Sequence, residues 1–256
     1  MNQSERRKYL IETLCKECGR KIELPSDEIL QNRLFRALVN VRMPKEASSE
    51  FLNIQDEYLQ EEIRAKGITD IDDLTPITSD IYLWKGDITT LKCDGIVNAA
   101  NSQMLGCFCP NHGCIDNAIH TFAGIQLRLA CADLMRKQNY REESVGKAKI
   151  TGAYNLPSKY IIHTVGPIVY GELNEKNEQD LASCYRSCLA LADEKGLQSI
   201  AFCCISTGEF HFPNEKAAMI AVRTVQTYKC QTGSKIKVIF NVFKEYDYDI
   251  YKRILG

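Results

Sequence analysis

The 256-residue sequence has almost no net charge and no long apolar run. Lysine and arginine total 32 against 33 acidic residues, a formal charge of −1 at pH 7. This balance predicts no general attraction to nucleic acid or anionic membranes. No apolar run approaches the roughly 20 residues that cross a bilayer, and the start, MNQSERRKYL, lacks the apolar core of a signal peptide. We therefore expect a soluble, cytoplasmic protein that binds neither nucleic acid nor membranes.

The first 78 residues carry no recognisable catalytic motif and are predicted to form helices. Apolar residues recur at helical spacing over residues 5–17, again between Ser26 and Pro44, and in a third stretch that Ser49 could cap. The acidic connection GITDIDDLTPITSD follows. We predict a helical N-terminal extension over residues 1–78 and a second domain over residues 79–256.

From residue 79 onward, short apolar runs alternate with amphipathic helical stretches. The runs are rich in β-branched and aromatic residues and lie at 81–84, 95–99, 160–165, 199–205 and 237–243. The helical stretches cover about 115–136, 179–195 and 214–230. This alternation predicts an α/β fold with a mixed or parallel sheet covered on both faces. Ligands bind such sheets at the carboxyl ends of the strands, so the loops after the runs are the candidate sites.

Polar residues follow three of these runs. Asp87 and Ile88 come after the first run, where a carboxylate and neighbouring amides can hydrogen-bond a ligand. Asn101 ends the segment VNAAN, whose small residues let a ligand approach the backbone. Residues 206–210, STGEF, offer amides and hydroxyls that could hold a diphosphate. Each segment alone is compatible with an ordinary turn, but their shared position at strand ends predicts one ligand cleft.

Twelve cysteines in a chain without an export signal are expected to stay reduced. Cys15 and Cys18 form half of a zinc-binding pattern with no second half nearby. They could bind a metal, or they could simply lie at the end of a helix, and the sequence leaves both interpretations open. The run from Cys107 to Cys114 is different, because three thiols and His112 fall within eight residues and Pro110 denies the segment regular periodicity. Thiolate with imidazole favours zinc, bound by four ligands in a closed site or by three in an open one.

Five blocks in this order resemble a macrodomain. They are GDIT (86–89), IVNAANSQMLG (96–106), DNAIHTFAG (116–124), GKAKITGAYNLPSKYIIHTVGP (146–167) and ISTGEFHFP (205–213). The resemblance implies a three-layer α/β/α fold with a mixed central sheet that binds ADP-ribose. Many members hydrolyse ADP-ribose from modified side chains, whereas others only recognise it.

The resemblance also assigns roles to individual residues. Asp87, with Ile88 beside it, matches the carboxylate that holds the adenine amine, and Asn101 matches the asparagine at the distal ribose. Asp116, preceded by Ile115, matches the aspartate of hydrolytic members, which implies catalytic roles for Asn101 and Asp116. The residues that match the loop around the diphosphate and distal ribose are Ser206, Thr207, Gly208, Glu209 and Phe210.

The segment before Asp116 departs from the glycine run of ordinary macrodomains. It is similar to the loop of the zinc-dependent macrodomain subfamily, which also carries a helical extension before the domain. That similarity implies Cys107, His112 and Cys114 as ligands to one Zn2+ per chain, with Cys109 left as a spare thiol. Three protein ligands leave a position for water or substrate, so we expect a catalytic site rather than a structural one.

The leading hypothesis is a zinc-dependent ADP-ribosyl hydrolase that removes mono-ADP-ribose from acidic protein side chains. The alternative is a non-catalytic ADP-ribose reader in which zinc only braces a loop. For the substrate, the subfamily implies a bacterial carrier protein modified by a sirtuin-like transferase. A nucleoside deaminase is disfavoured because the sequence lacks the His-x-Glu and Pro-Cys-x-x-Cys elements. A nucleic-acid zinc finger would need a second ligand pair and a basic face.

Overall fold

In the computed structural model, which describes residues 1–19, 21 and 23–256, the described part of the N-terminal extension forms three helices. They are α1 (Gln3–Glu17), α2 (Glu28–Val41) and α3 (Ser49–Lys66). Asn2, Asp27 and Ser48 precede them, and each accepts a hydrogen bond from a backbone N–H of the first turn. Such caps satisfy donors that a helix start leaves unpaired. The predicted cap Ser49 is therefore wrong by one residue.

The strands form a mixed sheet and a small accessory pair. Their bounds are β1 (Thr69–Asp70), β2 (Ile81–Lys85), β3 (Leu91–Lys92), β4 (Gly95–Ala100), β5 (Ala148–Gly152), β6 (Tyr160–Val165), β7 (Ser199–Phe202) and β8 (Lys237–Val242). Within residues 23–256 the main sheet has the order β2-β8-β7-β4-β6-β5. Neighbours are parallel except for β5, which runs antiparallel to β6. The short strands β1 and β3 pair with each other.

Helices flank the main sheet, which confirms the predicted three-layer fold class. Their bounds are α4 (Ile115–Ala123), α5 (Ile125–Lys137), α6 (Glu175–Glu194), α7 (Asn214–Thr232) and α8 (Glu245–Leu255). The single helix predicted over 115–136 is two helices, because Gly124 adopts φ 97°, which a right-handed helix cannot continue. The run predicted to extend to 205 leaves the sheet after Phe202, where the chain turns toward Ser206 (φ 65°).

The N-terminal helices pack together and onto the rest of the chain. Phe51, Tyr58 and Leu59 of α3 are buried in a cluster with residues of α1 and α2, and Ile125 of α5 belongs to the same cluster. Phe122 of α4 packs against both this cluster and the main core. Burying each large apolar side chain contributes about 1.5–3 kcal/mol. In the described part of the chain, no helix is long and apolar enough to cross a membrane.

A neutral histidine lies inside the sheet. His163 of β6 is fully buried, with Nδ1 3.2 Å from the Asn98 amide nitrogen and Nε2 2.9 Å from the Thr151 hydroxyl. Burial lowers the pKa of His163 to about 3. The folded chain therefore keeps this imidazole uncharged over the physiological range, while the unfolded chain protonates it near its ordinary pKa of about 6.5.

The buried imidazole predicts acid sensitivity. Between pH 6.5 and 3 only the unfolded chain binds this proton, so the free energy of unfolding falls by up to about 1.4 kcal/mol per pH unit from His163 alone. We expect urea unfolding with chelator present to show a smaller pH slope for His163→Gln than for wild type. The exposed residue His211 is the control, and His211→Gln should keep the wild-type slope. Equal slopes in the two variants would contradict the prediction.

Candidate metal centre and ligand cleft

Parallel strands bring the predicted functional loops to one edge of the sheet. The strands β2, β4, β7 and β8 run in the same direction, so the segments that follow them leave from a common edge. These segments carry Asp87, Asn101 with the cysteine loop, and residues 206–210. Phe243, directly after β8, is 75% exposed at the same edge. The segments that the sequence predicted to form one cleft therefore begin along a common edge of the sheet.

Three side chains of the cysteine loop converge. The candidate ligand atoms of Cys107, His112 and Cys114 all lie within 4.8 Å of one another, and all three residues are half-buried. The Cys107 Sγ atom is 3.6 Å from His112 Nδ1. Two sulfurs and one imidazole are a donor set that zinc prefers. Cys109 is exposed, and its backbone carbonyl, rather than its thiol, is held by the Asn117 amide at 2.9 Å.

The Cys114 sulfur is fixed by the start of α4. Cys114 is the residue before the helix, and its Sγ accepts a hydrogen bond from the Asn117 backbone N–H at 3.4 Å. Burial raises the pKa of the Cys114 thiol to about 12, although the Asn117 N–H opposes part of this effect. In the absence of a cation the thiol is therefore protonated at neutral pH. Metal binding at such a site releases the proton, which makes metal affinity depend on pH.

Glu209 connects the metal loop to the loop after β7. Its Oε1 lies 3.5 Å from His112 Nε2, while Nδ1 of the same ring faces Cys107. A histidine that binds a metal through one nitrogen commonly offers the other to a carboxylate, which orients the ring. The sequence-based prediction placed Glu209 among the substrate contacts. The structure places it beside a metal-binding candidate, a relation across 97 residues of chain for which the sequence has no local signal.

Asp116 is a buried carboxylate two residues after Cys114. It is only 4% exposed, and its Oδ1 accepts a hydrogen bond of 2.8 Å from the side chain of Asn98. Burial raises the pKa of Asp116 to about 6, with Asn98 and the charge of Arg128 acting in the opposite direction. Asn98 also reaches His163, so one strand residue joins the carboxylate to the interior of the sheet. The sequence analysis assigned Asn98 no individual role.

Asn101 holds the turn that leads into the metal loop. Its side-chain amide donates to the Gly106 carbonyl at 3.2 Å and accepts from the Gln103 N–H at 3.0 Å. Gly106 has φ 82°, and a Cβ there would come within 2.8 Å of the His120 ring. A glycine is therefore needed where the loop passes over α4. Asn101 consequently lies at the entrance to the loop that carries the metal-binding candidates.

Asp87 occupies the opposite part of the edge, after β2. Its Oδ1 accepts from the N–H and hydroxyl of Thr89, and its Oδ2 lies 3.0 Å from Lys66 Nζ. Burial pushes the pKa of Asp87 upward, but Thr89 and Lys66 outweigh it and the net pKa lies below the usual value. Lys66 Nζ also sits 3.3 Å from the centroid of the Phe122 ring. Ile88 is buried, so any ligand contact there falls to its backbone.

The loop after β7 folds into a tight turn with available amides. Thr207 hydrogen-bonds back to the Cys204 carbonyl, and the Phe212 N–H donates to Ser206 O at 3.0 Å. Within residues 23–256, no hydrogen bond occupies the N–H groups of Gly208 and Glu209. Successive unpaired N–H groups can bind an anion. The geometry is therefore compatible with the predicted diphosphate contact.

The chain is similar to macrodomains and to proteins named protein-ADP-ribose hydrolase. A family model described as "Macro domain" matches residues 97–221. A Treponema medium protein named protein-ADP-ribose hydrolase is 55% identical over all of both chains. A Staphylococcus aureus protein of the same name is 57% identical over 86% of this chain and 82% of its own. The Trypanosoma brucei macrodomain solved with ADP-ribose is 31% identical, with a TM-score of 0.67 over 86% of this chain and 95% of that one.

The three-atom cluster predicts which cysteines are needed for metal binding. We expect wild-type protein to hold about one zinc per chain, and Cys114→Ser to lose nearly all of it because the donor set falls to two. Metal content after gel filtration measures this directly. The matched control is Cys109→Ser, which removes a thiol from the same loop but outside the cluster and should keep the zinc. Loss of zinc from Cys109→Ser would instead indicate a closed site with four ligands.

Proposed function

The chain belongs to the macrodomain family, and from that premise we propose that it is a zinc-dependent protein-ADP-ribose hydrolase. Relatives 55% and 57% identical over most of both chains carry the name protein-ADP-ribose hydrolase, which supports hydrolysis rather than recognition alone. The observation that carries the zinc requirement is the cluster of Cys107, His112 and Cys114 immediately before the buried Asp116.

The residues present fit a zinc ion. Cys107, His112 and Cys114 supply two sulfurs and one nitrogen from a half-buried loop, and zinc favours this set over calcium or magnesium, which prefer oxygen ligands. Zinc held by three protein ligands acts as a Lewis acid and lowers the pKa of a bound water. Glu209 would keep the His112 ring oriented, and the start of α4 would hold Cys114 in place.

The opposite end of the cleft would hold the nucleotide. The Asp87 carboxylate, kept ionised by Thr89 and Lys66, can accept a hydrogen bond from the adenine amine. Phe243 is exposed at the neighbouring strand end, where an aromatic face can stack on a base. The amides of residues 206–210 would bind the diphosphate, with Phe210 against the distal ribose. This order directs the distal ribose toward Asn101, Ile115 and the metal loop.

Asp116 is the group we assign to proton transfer. Burial raises its pKa above that of an ordinary aspartate, which makes the ionised carboxylate a stronger base. Asn98 fixes one carboxylate oxygen, and Asn101 would orient the ribose. Water adds across the bond between the distal ribose and the protein side chain: Asp116 accepts a proton from the attacking water and passes it to the oxygen that departs as the bond breaks. The products are ADP-ribose and the unmodified side chain.

For the substrate we propose mono-ADP-ribose linked to an acidic side chain, as the resemblance to the zinc-dependent subfamily implies. A bacterial carrier protein modified by a sirtuin-like transferase is the partner we propose on the same basis. A reducing cytoplasm suits the site, because thiols used as metal ligands have to escape oxidation. The proposed hydrolysis is tested by turnover. Catalysis and nucleotide binding are then tested separately, by variants at the two ends of the cleft.

Turnover should require both the metal and Asp116. Purified protein is incubated with protein that carries aspartate- or glutamate-linked ADP-ribose, and released ADP-ribose is measured. We expect chelator to abolish release and added zinc to restore it. Asp116→Asn should reduce turnover by at least about a hundredfold, because removal of a general base costs roughly 10²–10⁴ in rate. Zinc-loaded wild type that binds ADP-ribose but releases none from any linkage would indicate a reader.

Replacing Asp87 should weaken ADP-ribose binding without removing the metal. Asp87→Ala removes the proposed acceptor for the adenine amine, and a hydrogen bond to a charged group contributes about 1.5–3 kcal/mol. We therefore expect the Kd for ADP-ribose, measured by calorimetry, to rise by about ten- to a hundredfold with unchanged zinc content. Asp94→Ala is the control, because Asp94 directly precedes β4 and so lies at the opposite edge of the sheet. Unchanged affinity in Asp87→Ala would remove this residue from the site.

A further inference from the structure

Side chains from distant helices hold the backbone of the metal loop. Arg36, in α2 of the N-terminal extension, donates through Nη2 to the backbone carbonyl of His112 at 2.9 Å. The two residues are 76 positions apart in sequence. Since a half-buried carbonyl without a partner is costly, this hydrogen bond stabilises one conformation of the loop at the residue that supplies its imidazole.

Arg36 also contacts the residue that connects two of the cysteines. Its Nε and Nη2 both donate to Asn117 Oδ1, at 3.0 and 2.7 Å. The other end of the same side chain, Asn117 Nδ2, donates to Cys109 O at 2.9 Å, and the Asn117 backbone N–H points at Cys114 Sγ. Asn117 is fully buried, so its amide has few alternative partners. Arg36 therefore acts on the loop at His112 directly and at Cys114 through Asn117.

A second contact from α2 fixes the middle of the loop. Asn40 accepts a hydrogen bond of 2.9 Å from the Asn111 N–H and donates to Thr121 Oγ1 of α4 at 3.0 Å. Asn111 has φ 55°, a left-handed conformation that needs support from its surroundings. Arg128 of α5 donates both to the Leu105 carbonyl, at the start of the loop, and to the Val39 carbonyl in α2. The last turns of α2 thus contact the metal loop directly at Asn111 and His112, and through Arg128 at Leu105.

We infer that the N-terminal extension is part of the metal centre, with Arg36 as the positioning residue that holds His112 and Cys114 in binding geometry. The inference rests on the zinc site of the proposed function. Arg36 is not a ligand, since its guanidinium offers only donors. Its planar fork places two N–H groups on Asn117 and one on His112 O at the same time, and a lysine cannot reproduce this arrangement.

The test compares two arginines of one helix. Zinc affinity of the full-length chain is measured by competition with a chelating dye for wild type, Arg36→Ala and Arg33→Ala, where Arg33 is exposed on α2. Replacing a hydrogen-bond partner of a metal ligand typically lowers metal affinity ten- to a hundredfold. We expect a loss of about that size for Arg36→Ala and none for Arg33→Ala. The cobalt(II)-loaded proteins provide a spectroscopic readout, because the thiolate-to-metal absorption should shift or weaken only when the ligands are displaced.

Two further variants guard against a simple folding defect. Arg36→Lys keeps the charge and most of the apolar stem, so it should fold and still bind zinc more weakly than wild type. Asn117→Ala, alone and combined with Arg36→Ala, tests whether the residues act together. The losses should be less than additive if Arg36 works partly through Asn117. Circular dichroism establishes that each variant is folded before its affinity is compared.

The outcomes separate this inference from the proposed function. Wild type that binds no zinc would overturn the metal site and the inference with it. Wild type that binds zinc, with folded Arg36→Ala or Arg36→Lys matching Arg33→Ala in affinity and cobalt spectrum, would overturn the inference alone. Weaker zinc binding and an altered cobalt spectrum in the Arg36 variants, with wild-type behaviour in Arg33→Ala, would support it.

Discussion

An irregular, partly buried loop has to find hydrogen-bond partners for its own backbone, and the metal-binding segment depends on this requirement. Helices and strands pair their N–H and C=O groups internally, but residues 105–114 have no such ladder. The loop groups are instead paired with side chains of neighbouring elements: Asn101 to Gly106, Arg128 to Leu105, Asn117 to Cys109, Asn40 to Asn111, and Arg36 to His112. All five side chains are planar amides or guanidinium groups, and each makes a second hydrogen bond that ties the loop to another element or to another part of the chain. The loop is consequently shaped by elements around it.

Helices of the N-terminal extension reach both ends of the cleft. At the metal end, α2 contacts the loop through Arg36 and Asn40. At the other end, the last residue of α3, Lys66, pairs with Asp87 and lies over the ring of Phe122. The extension is thus a wall of the candidate site as well as a layer that covers apolar surface. Residues 1–78, which carry no catalytic motif, contact the candidate site through hydrogen bonds and the charge of Lys66.

Desolvation sets the chemistry of the carboxylate next to the metal loop. An aspartate in water stays ionised even at pH values well below neutral. In the folded chain, burial raises the pKa of Asp116 to about 6. Asn98 keeps the ionised form accessible by donating a hydrogen bond, and it is itself held against His163 inside the sheet. A row of polar side chains in an apolar core is costly unless its members are paired. Here the Asn98 side chain connects His163 of β6 to the Asp116 carboxylate, so residues of the sheet orient the proposed base.

How much could be predicted depended on whether a feature has a local signal. Alternating apolar runs predicted the α/β fold, and the run of three thiols and His112 between Cys107 and Cys114 predicted a metal site, because both patterns are written in neighbouring residues. Which three of these residues would bind the metal was implied only by the family resemblance. The break at Gly124 and the cap at Ser48 were missed, since φ angles and cap bonds depend on packing. The sequence by itself determined which side chains were available for chemistry and at which strand ends. Only the tertiary structure decided that Glu209 faces His112 and that Arg36 faces Asn117, because contacts across 80 or more residues arise from packing and leave no periodicity to read.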